Sequence, residues 1–140
     1  MDDDHASIRR IRDDEREAAI DLLGELWTDA EPREIRSWTS VDSYRLFGRF
    51  VDADLVGVAG VTVMTELHHE RMAWLYSLVV DPDRRGEGHG SALVAYVESW
   101  ADERGFERLG LASPLDATDS QAFYDHLDFE RWGYVVEKSL

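Results

Sequence analysis

The chain alternates between two periods of apolar residues. Ala18, Ala19, Leu22, Leu23, Leu26 and Trp27 recur at helical spacing, which predicts an amphipathic helix with Asp13 and Asp14 as its N-cap candidates. Ser7 to Arg12, with Ile8 and Ile11, reads as a short strand ahead of it. Pro32 suits the first turn of a second short helix. Tyr44 to Val51 alternates loosely, and Asp52-Ala53-Asp54 forms a polar turn. Leu55 to Met64 is nearly continuous in apolar and small residues, the pattern of a strand buried on both faces. Glu66-Leu67-His68-His69-Glu70 predicts a turn, and Ala73 to Val80 another strand, which Asp81-Pro82-Asp83 stops because proline cannot donate to a ladder. From Ser91 to Arg104 a stripe of Leu93, Tyr96, Val97, Trp100 and Ala101 predicts a long helix, closed by Gly105. Glu107 to Ala112 reads as a strand, Ser120 to Leu127 as a short helix capped by Asp119, and Tyr134 to Lys138 as a final strand. The sum is an α/β or α+β fold, with helices on both faces of one sheet.

Composition narrows this frame. At 140 residues the chain fits a single domain spanning 1–140. There is no cysteine, which excludes disulfides, thiolate metal sites and a cysteine nucleophile. Thirty acidic residues face fifteen basic ones, a net charge of −15, and Lys138 is the only lysine. The acids are spread along the chain, which points to a halophilic acidic surface whose self-repulsion is screened by salt. A nucleic-acid partner is not expected, since phosphate neutralisation needs a basic face. The acidic Met1-Asp2-Asp3-Asp4 is no signal peptide and no apolar run reaches the length of a membrane span, so the expectation is a cytoplasmic protein with no membrane partner.

The chemistry begins where the strand ending at Val80 meets the helix starting near Ser91. Between them lies Arg84-Arg85-Gly86-Glu87-Gly88-His89-Gly90. Glycines tolerate positive φ and carry no Cβ, so successive amides can converge on one anion. The helix N-terminus adds partial positive charge, and the arginines add full charges. Together these make a pyrophosphate cradle. It is not a Walker loop, because Gly90 is followed by Ser91-Ala92 rather than Lys-Ser/Thr. The dinucleotide fingerprint also fails on glycine spacing.

The segment resembles the acyl-CoA motif of the GNAT superfamily of N-acetyltransferases, Arg/Gln-x-x-Gly-x-Gly/Ala, with Arg85, Gly88 and Gly90 matching. The order of elements is similar over almost the whole chain. The resemblance implies a mixed, mostly antiparallel sheet splayed at the CoA site. It implies that Leu78, Val79 and Val80 offer backbone groups to the pantetheine arm. The pyrophosphate would lie on Arg85, Gly86, Glu87, Gly88, His89 and Gly90, with Ser91 beside it. The function implied is acetyl transfer from acetyl-CoA to an amine of a small molecule or peptide, directly in a ternary complex and without a metal. A homodimer is an expectation on the same ground. The alternative is an acyl-CoA-binding sensor or interaction domain without turnover.

Ser120-Gln121-Ala122-Phe123-Tyr124-Asp125-His126-Leu127-Asp128-Phe129 resembles the family's Phe/Leu-Tyr-x-x-x-Gly-Phe segment, which makes Tyr124 the candidate general acid for the departing thiolate. Asp128 replaces the family's glycine, and Ala117 stands where an asparagine often contacts CoA, with Asp116, Asp119 and Ser120 nearby. No carboxylate lies between Ala73 and Val80 to act as base. Glu66, His68, His69 and Glu70 fit a solvated turn, and His68-His69 is no metal pair, because adjacent strand residues face opposite ways. Tyr76 and Ser77 could position water or substrate. His89 reads as a backbone contributor. Trp27, Trp38 and Tyr44 fall in the region that the resemblance makes the acceptor wall, Trp27 as core and Trp38 as the better pocket residue.

Overall fold

The computed structural model describes residues 6–64 and 71–140. These form two compact units, one ending at Gly110 and one starting at Leu111. In the first, a five-stranded sheet has the order β1-β2-β3-β4-β5. Its strands are Ala6–Arg10 (β1), Arg45–Val51 (β2), Asp54–Met64 (β3), Met72–Val80 (β4) and Arg108–Gly110 (β5). The first four run antiparallel to their neighbours, and β5 lies parallel to β4. The helices of this unit are Arg16–Leu26 (α1), Pro32–Trp38 (α2) and His89–Glu103 (α3). The expected mixed, mostly antiparallel sheet is therefore present. The predicted turn Glu66–Glu70 lies outside the described residues.

Strand alternation puts helices on both faces. Val58 and Leu46 pack with Ala19, Ile20 and Leu23 of α1 and Ile35 of α2. Their neighbours Gly57 and Phe47 point the other way. A β-carbon on Gly57 would meet Leu93 of α3 at 3.0 Å. The Phe47 ring packs edge-on against Tyr96 and Trp100, with centroids 5.3 and 5.4 Å apart. Small residues in β3 thus let α3 lie close to the sheet, and the strand is buried from Val56 to Val61 as its apolar run predicts.

Several boundaries differ from the sequence pattern. Neither Asp13 nor Asp14 caps α1. They sit in a 3₁₀ turn, Asp13–Glu15, and α1 begins at Arg16. The carboxylate that closes this turn is Glu15, which accepts from the Arg12 amide at 2.9 Å. It is held by both guanidinium nitrogens of Arg9, at 2.7 and 2.5 Å, a bidentate pair that the shorter, unpaired aspartates do not make. Pro32 opens α2 as expected. Val51 and Asp54 flank a two-residue turn with left-handed Asp52 and Ala53, the twist a tight hairpin requires.

The second unit holds α4, Thr118–His126. Asp119 is not its cap: the N-cap is Ala117, which has no side chain able to accept, and Asp119 lies in the first turn. Tyr134 to Lys138 forms no strand. Tyr134 and Val136 are 83% and 90% exposed. Tyr-Val-Val favours extended backbone, but a strand also needs a ladder partner, and none pairs with it here.

The Arg9 guanidinium, and next the Arg12 amide, hold the Glu15 carboxyl at about 2, below its ordinary 4.5. Because the folded value is depressed, the stabilisation is complete above 4.5 and is lost as pH falls toward 2. Glu15→Gln should flatten the acid limb of stability over that interval, measured by urea unfolding at successive pH values.

Candidate active site

β4 carries the chain straight into the glycine-rich loop. Its pairing with β5 stops at Trp74–Gly110, while its pairing with β3 continues to Val80. From Leu75 to Val80 the β5-side edge of β4 is therefore unpaired among the described residues. Val80 leads into a 3₁₀ turn, Pro82–Arg84, where the Asp81 carboxylate accepts from the Asp83 amide at 3.0 Å.

Gly86 and Gly88 then take φ of 80° and 88°, the left-handed region that other residues enter at a cost. Nothing lies within 4 Å of where their β-carbons would be, so it is φ and not space that calls for glycine at both positions. Gly88 is the N-cap of α3 and supplies no side-chain cap. The first helical amide to find a carbonyl is that of Ala92, bonded to Gly88 at 3.1 Å. Among the described residues, no backbone amide from Arg85 to Ser91 has an acceptor. Unsatisfied donors at a helix N-terminus favour an anion. Arg85 is exposed and makes no ion pair among the described residues, whereas Arg84 is engaged by Glu87 at 3.0 Å.

His89 contributes more than backbone. Its ring is buried, 6% exposed, under the loop. Nδ1 accepts from Arg49 Nε of β2 at 3.2 Å, and Nε2 lies 2.9 Å from Glu87 Oε1. Because Nδ1 accepts, the proton of the neutral ring belongs on Nε2, where it donates to Glu87. The bond to His89, and then that to Arg84, holds the Glu87 carboxyl below its ordinary range. A chain of polar contacts from Arg49 through His89 and Glu87 to Arg84 thus ties the loop to the sheet. The spacing of His89 and Arg49, forty residues apart in sequence, gave no hint of it.

On the α1 face, β4 carries a bulge. Gly60 pairs with Ser77 and Val61 with Leu75, so Tyr76 has no opposite residue. Bulges re-aim side chains, and Tyr76 is turned outward, 56% exposed. Its ring meets Trp27 at 5.9 Å and Tyr44 at 6.2 Å, and Trp27 meets Trp38 at 5.6 Å, all edge-on. Trp27 is half-buried against the core, while Trp38 is 47% exposed, as their sequence contexts predict. Ser77 is buried and bonds Tyr44 Oη at 2.6 Å. Burial pushes the Tyr44 phenol up to about 12, against the opposing Ser77 bond. Only a glycine at 60 leaves room for this pair, since a β-carbon there would collide with both oxygens.

Tyr124 belongs to the second unit. It is half-buried between Phe123 and Phe129, with centroids 5.1 and 5.5 Å away, and burial raises its phenol above the ordinary range. Asp128, in the family's glycine position, has φ of 69°. That is the conformation a glycine would take freely and one that aspartate tolerates better than most residues. Glu66, His68, His69 and Glu70 lie outside the described residues. No group of three or more potential metal ligands occurs among the described residues.

The model of the Acetyltransferase (GNAT) family matches residues 6–129. The chain belongs to this family. It is 30% identical over 98 residues to the aminoalkylphosphonate N-acetyltransferase of Salmonella typhimurium, covering 69% of this chain and 62% of that protein. It is 35% identical over 81 residues to the mycothiol acetyltransferase of Salinispora tropica, covering 54% of this chain and 26% of that protein. The matches thus span less than two thirds of either relative. An aminoglycoside N-acetyltransferase in complex with CoA superposes with a TM-score of 0.83 at 22% identity, over 97% of this chain and 95% of that one. At that identity the likeness is one of fold, and the GNAT fold is shared.

Within this GNAT chain the first unit brings together Leu78, Val79, Val80 and the run from Arg85 to Ser91. Removing the His89 ring should leave Arg49 without its acceptor and open a void under the loop. His89→Ala should cost about 2 kcal/mol in urea unfolding. His89→Gln, which keeps a donor for Glu87, should recover part of that loss.

Proposed function

We propose that this chain is an acetyl-CoA-dependent N-acetyltransferase acting by direct transfer to an amine of a small molecule or peptide. The observation that carries the reading is the run of amides from Arg85 to Ser91 that have no acceptor among the described residues, around two left-handed glycines, with Arg85 beside it in no ion pair among those residues. Such a nest suits a pyrophosphate, and acetyl-CoA supplies one together with an activated acyl group. The unpaired edge of β4 at Leu78, Val79 and Val80 would offer its backbone to the pantetheine amides. Metal ligands have no part in this scheme.

The neutral amine attacks the thioester carbonyl carbon. A C–N bond forms, the C–S bond breaks, and the departing thiolate takes a proton. Tyr124 is the proposed donor: its buried phenol is protonated at neutral pH and can hand that proton to the sulfur as the C–S bond breaks, the phenolate regaining one through solvent. The proton shed by the amine returns through solvent. The aromatic face of Trp27, Trp38, Tyr76 and Tyr44 is the proposed wall for the acceptor, with Tyr76 and Trp38 the rings most open to it. An aminoalkylphosphonate, a polyamine, an aminoglycoside and a peptide N-terminus all present a suitable amine.

One observation favours a second reading, a domain that binds acyl-CoA without turnover. β4 carries no carboxylate, and its one buried hydroxyl, Ser77, is tied to a neutral Tyr44. The two readings separate kinetically. Arg85→Ala should raise KM for acetyl-CoA about tenfold with little change in kcat, as expected for a lost charge-assisted contact in ground and transition state alike. Tyr124→Phe should lower kcat about a hundredfold with KM held. Assays with a panel of those four amine classes test both. An unchanged rate in Tyr124→Phe sinks the acid assignment, and CoA binding without transfer to any amine favours the second reading.

A further inference from the structure

At the far end of α3 from the glycine-rich loop lies a second cleft of about 370 Å³, lined by Arg10, Arg45, Arg71, Arg104, Trp100 and Phe106 among others. Four arginines from four places in the chain line it: the end of β1, the start of β2, the residue before β4 and the C-cap of α3. The convergence is unexpected in a chain with two acids for each base. Elsewhere five guanidiniums find carboxylates, Arg9 with Glu15, Arg33 with Glu31, Arg36 with Glu17, Arg84 with Glu87 and Arg131 with Asp125, and Arg16 and Arg49 find hydroxyl or imidazole partners.

No carboxylate of the described residues pairs with any of the four in the cleft. Asp102, Glu103 and Glu107 are close in sequence, yet none of them pairs here. Arg45 donates to the backbone carbonyl of Asp42. Arg71 donates to the carbonyl of Arg104 at 3.4 Å and lies over Phe106, 4.6 Å from the ring centre. Arg104 lies over Trp100 at 5.0 Å. The guanidinium of Arg10 has no partner among the described residues.

A helix C-terminus favours a cation, which accounts for Arg104 alone. It does not account for three more positive charges brought against it. Like charges gathered with no carboxylate partner among the described residues repel, and a site of this kind is relieved when an anion enters. Guanidiniums stacked on rings turn their N–H edges away from the ring plane, and beyond the one Arg71 bond to the Arg104 carbonyl those edges can receive two oxygens of one group. The ring faces are already covered by guanidinium, so the recognition left to the cleft is that of oxyanions.

We infer that this cleft is a binding site for a small multivalent oxyanion, a phosphate- or carboxylate-bearing metabolite, separate from the acyl-CoA loop. The helix between the two is 15 residues long, about 22 Å, so one compact ligand head group cannot occupy both.

The test is an NMR titration of the full chain with pyrophosphate, and in parallel with citrate, at fixed physiological salt. The expected result is a saturable shift of the Trp100 indole N–H and of the Arg71 and Arg104 Nε–H signals. Whichever probe saturates them at lower concentration names the head group. Arg10→Gln with Arg45→Gln, which disturbs neither ring stack, should weaken that binding about tenfold or more. Arg85→Ala should leave it unchanged, while reducing any pyrophosphate shift at the Gly86 and Gly88 amides. If neither probe gives a saturable shift in the cleft in the millimolar range, or if the double variant binds as tightly as the parent, the inference is wrong. These signals come from the cleft itself, so the outcome does not depend on whether the chain proves to be an acetyltransferase.

Discussion

Gly86 and Gly88 impose the constraint on which the candidate site depends. Their left-handed backbone turns the chain from β4 into α3 so sharply that no amide between Arg85 and Ser91 reaches a carbonyl of the described residues. An ordinary helix start would satisfy part of that set with an N-cap side chain. Here the N-cap is a glycine and the donors stay free. Such a turn is mechanically soft unless something holds it. The hold comes from the buried His89 ring, fastened to Arg49 on one side and Glu87 on the other. Preorganised donors are worth more than mobile ones, because ordering them is not charged to ligand binding.

The sheet is arranged so that both sides of β4 are used differently. On one side small residues in β3 let α3 pack closely, which seats the loop. On the other a bulge at Tyr76 breaks strict alternation and adds an exposed ring to Trp27, Trp38 and Tyr44. Gly60 is the hinge of that second arrangement, since the Tyr44–Ser77 bond occupies the space its side chain would take. Packing and function meet in the same few glycines, for different reasons: Gly86 and Gly88 for φ, Gly57 and Gly60 for volume.

Charge is distributed with similar economy. Most of the excess acid is exposed, and Arg9, Arg33, Arg36, Arg84 and Arg131 are each matched to a carboxylate. Two groups stand outside that pairing among the described residues: Arg85 beside the amide nest, and Arg10, Arg45, Arg71 and Arg104 at the other end of α3. In a basic protein neither would stand out; against a net charge of −15 both do.

The sequence by itself determined the order of elements, the buried β3, the position of the glycine loop between strand and helix, and the resemblance carried by Arg85, Gly88 and Gly90. Those features are local: periodicity, turn chemistry and short spacing act over a few residues. It misplaced the caps of α1 and α4 and expected a strand at Tyr134 to Lys138, because a cap is settled by which carboxylate has a partner and a strand by whether a ladder is available. The tertiary structure alone decided what happens across long separations. It put Arg49 on His89 and Tyr44 on Ser77, exposed Tyr76 through a register shift, and gathered four arginines into one cleft. Each of these depends on register and crossing geometry between distant segments, which no local pattern encodes.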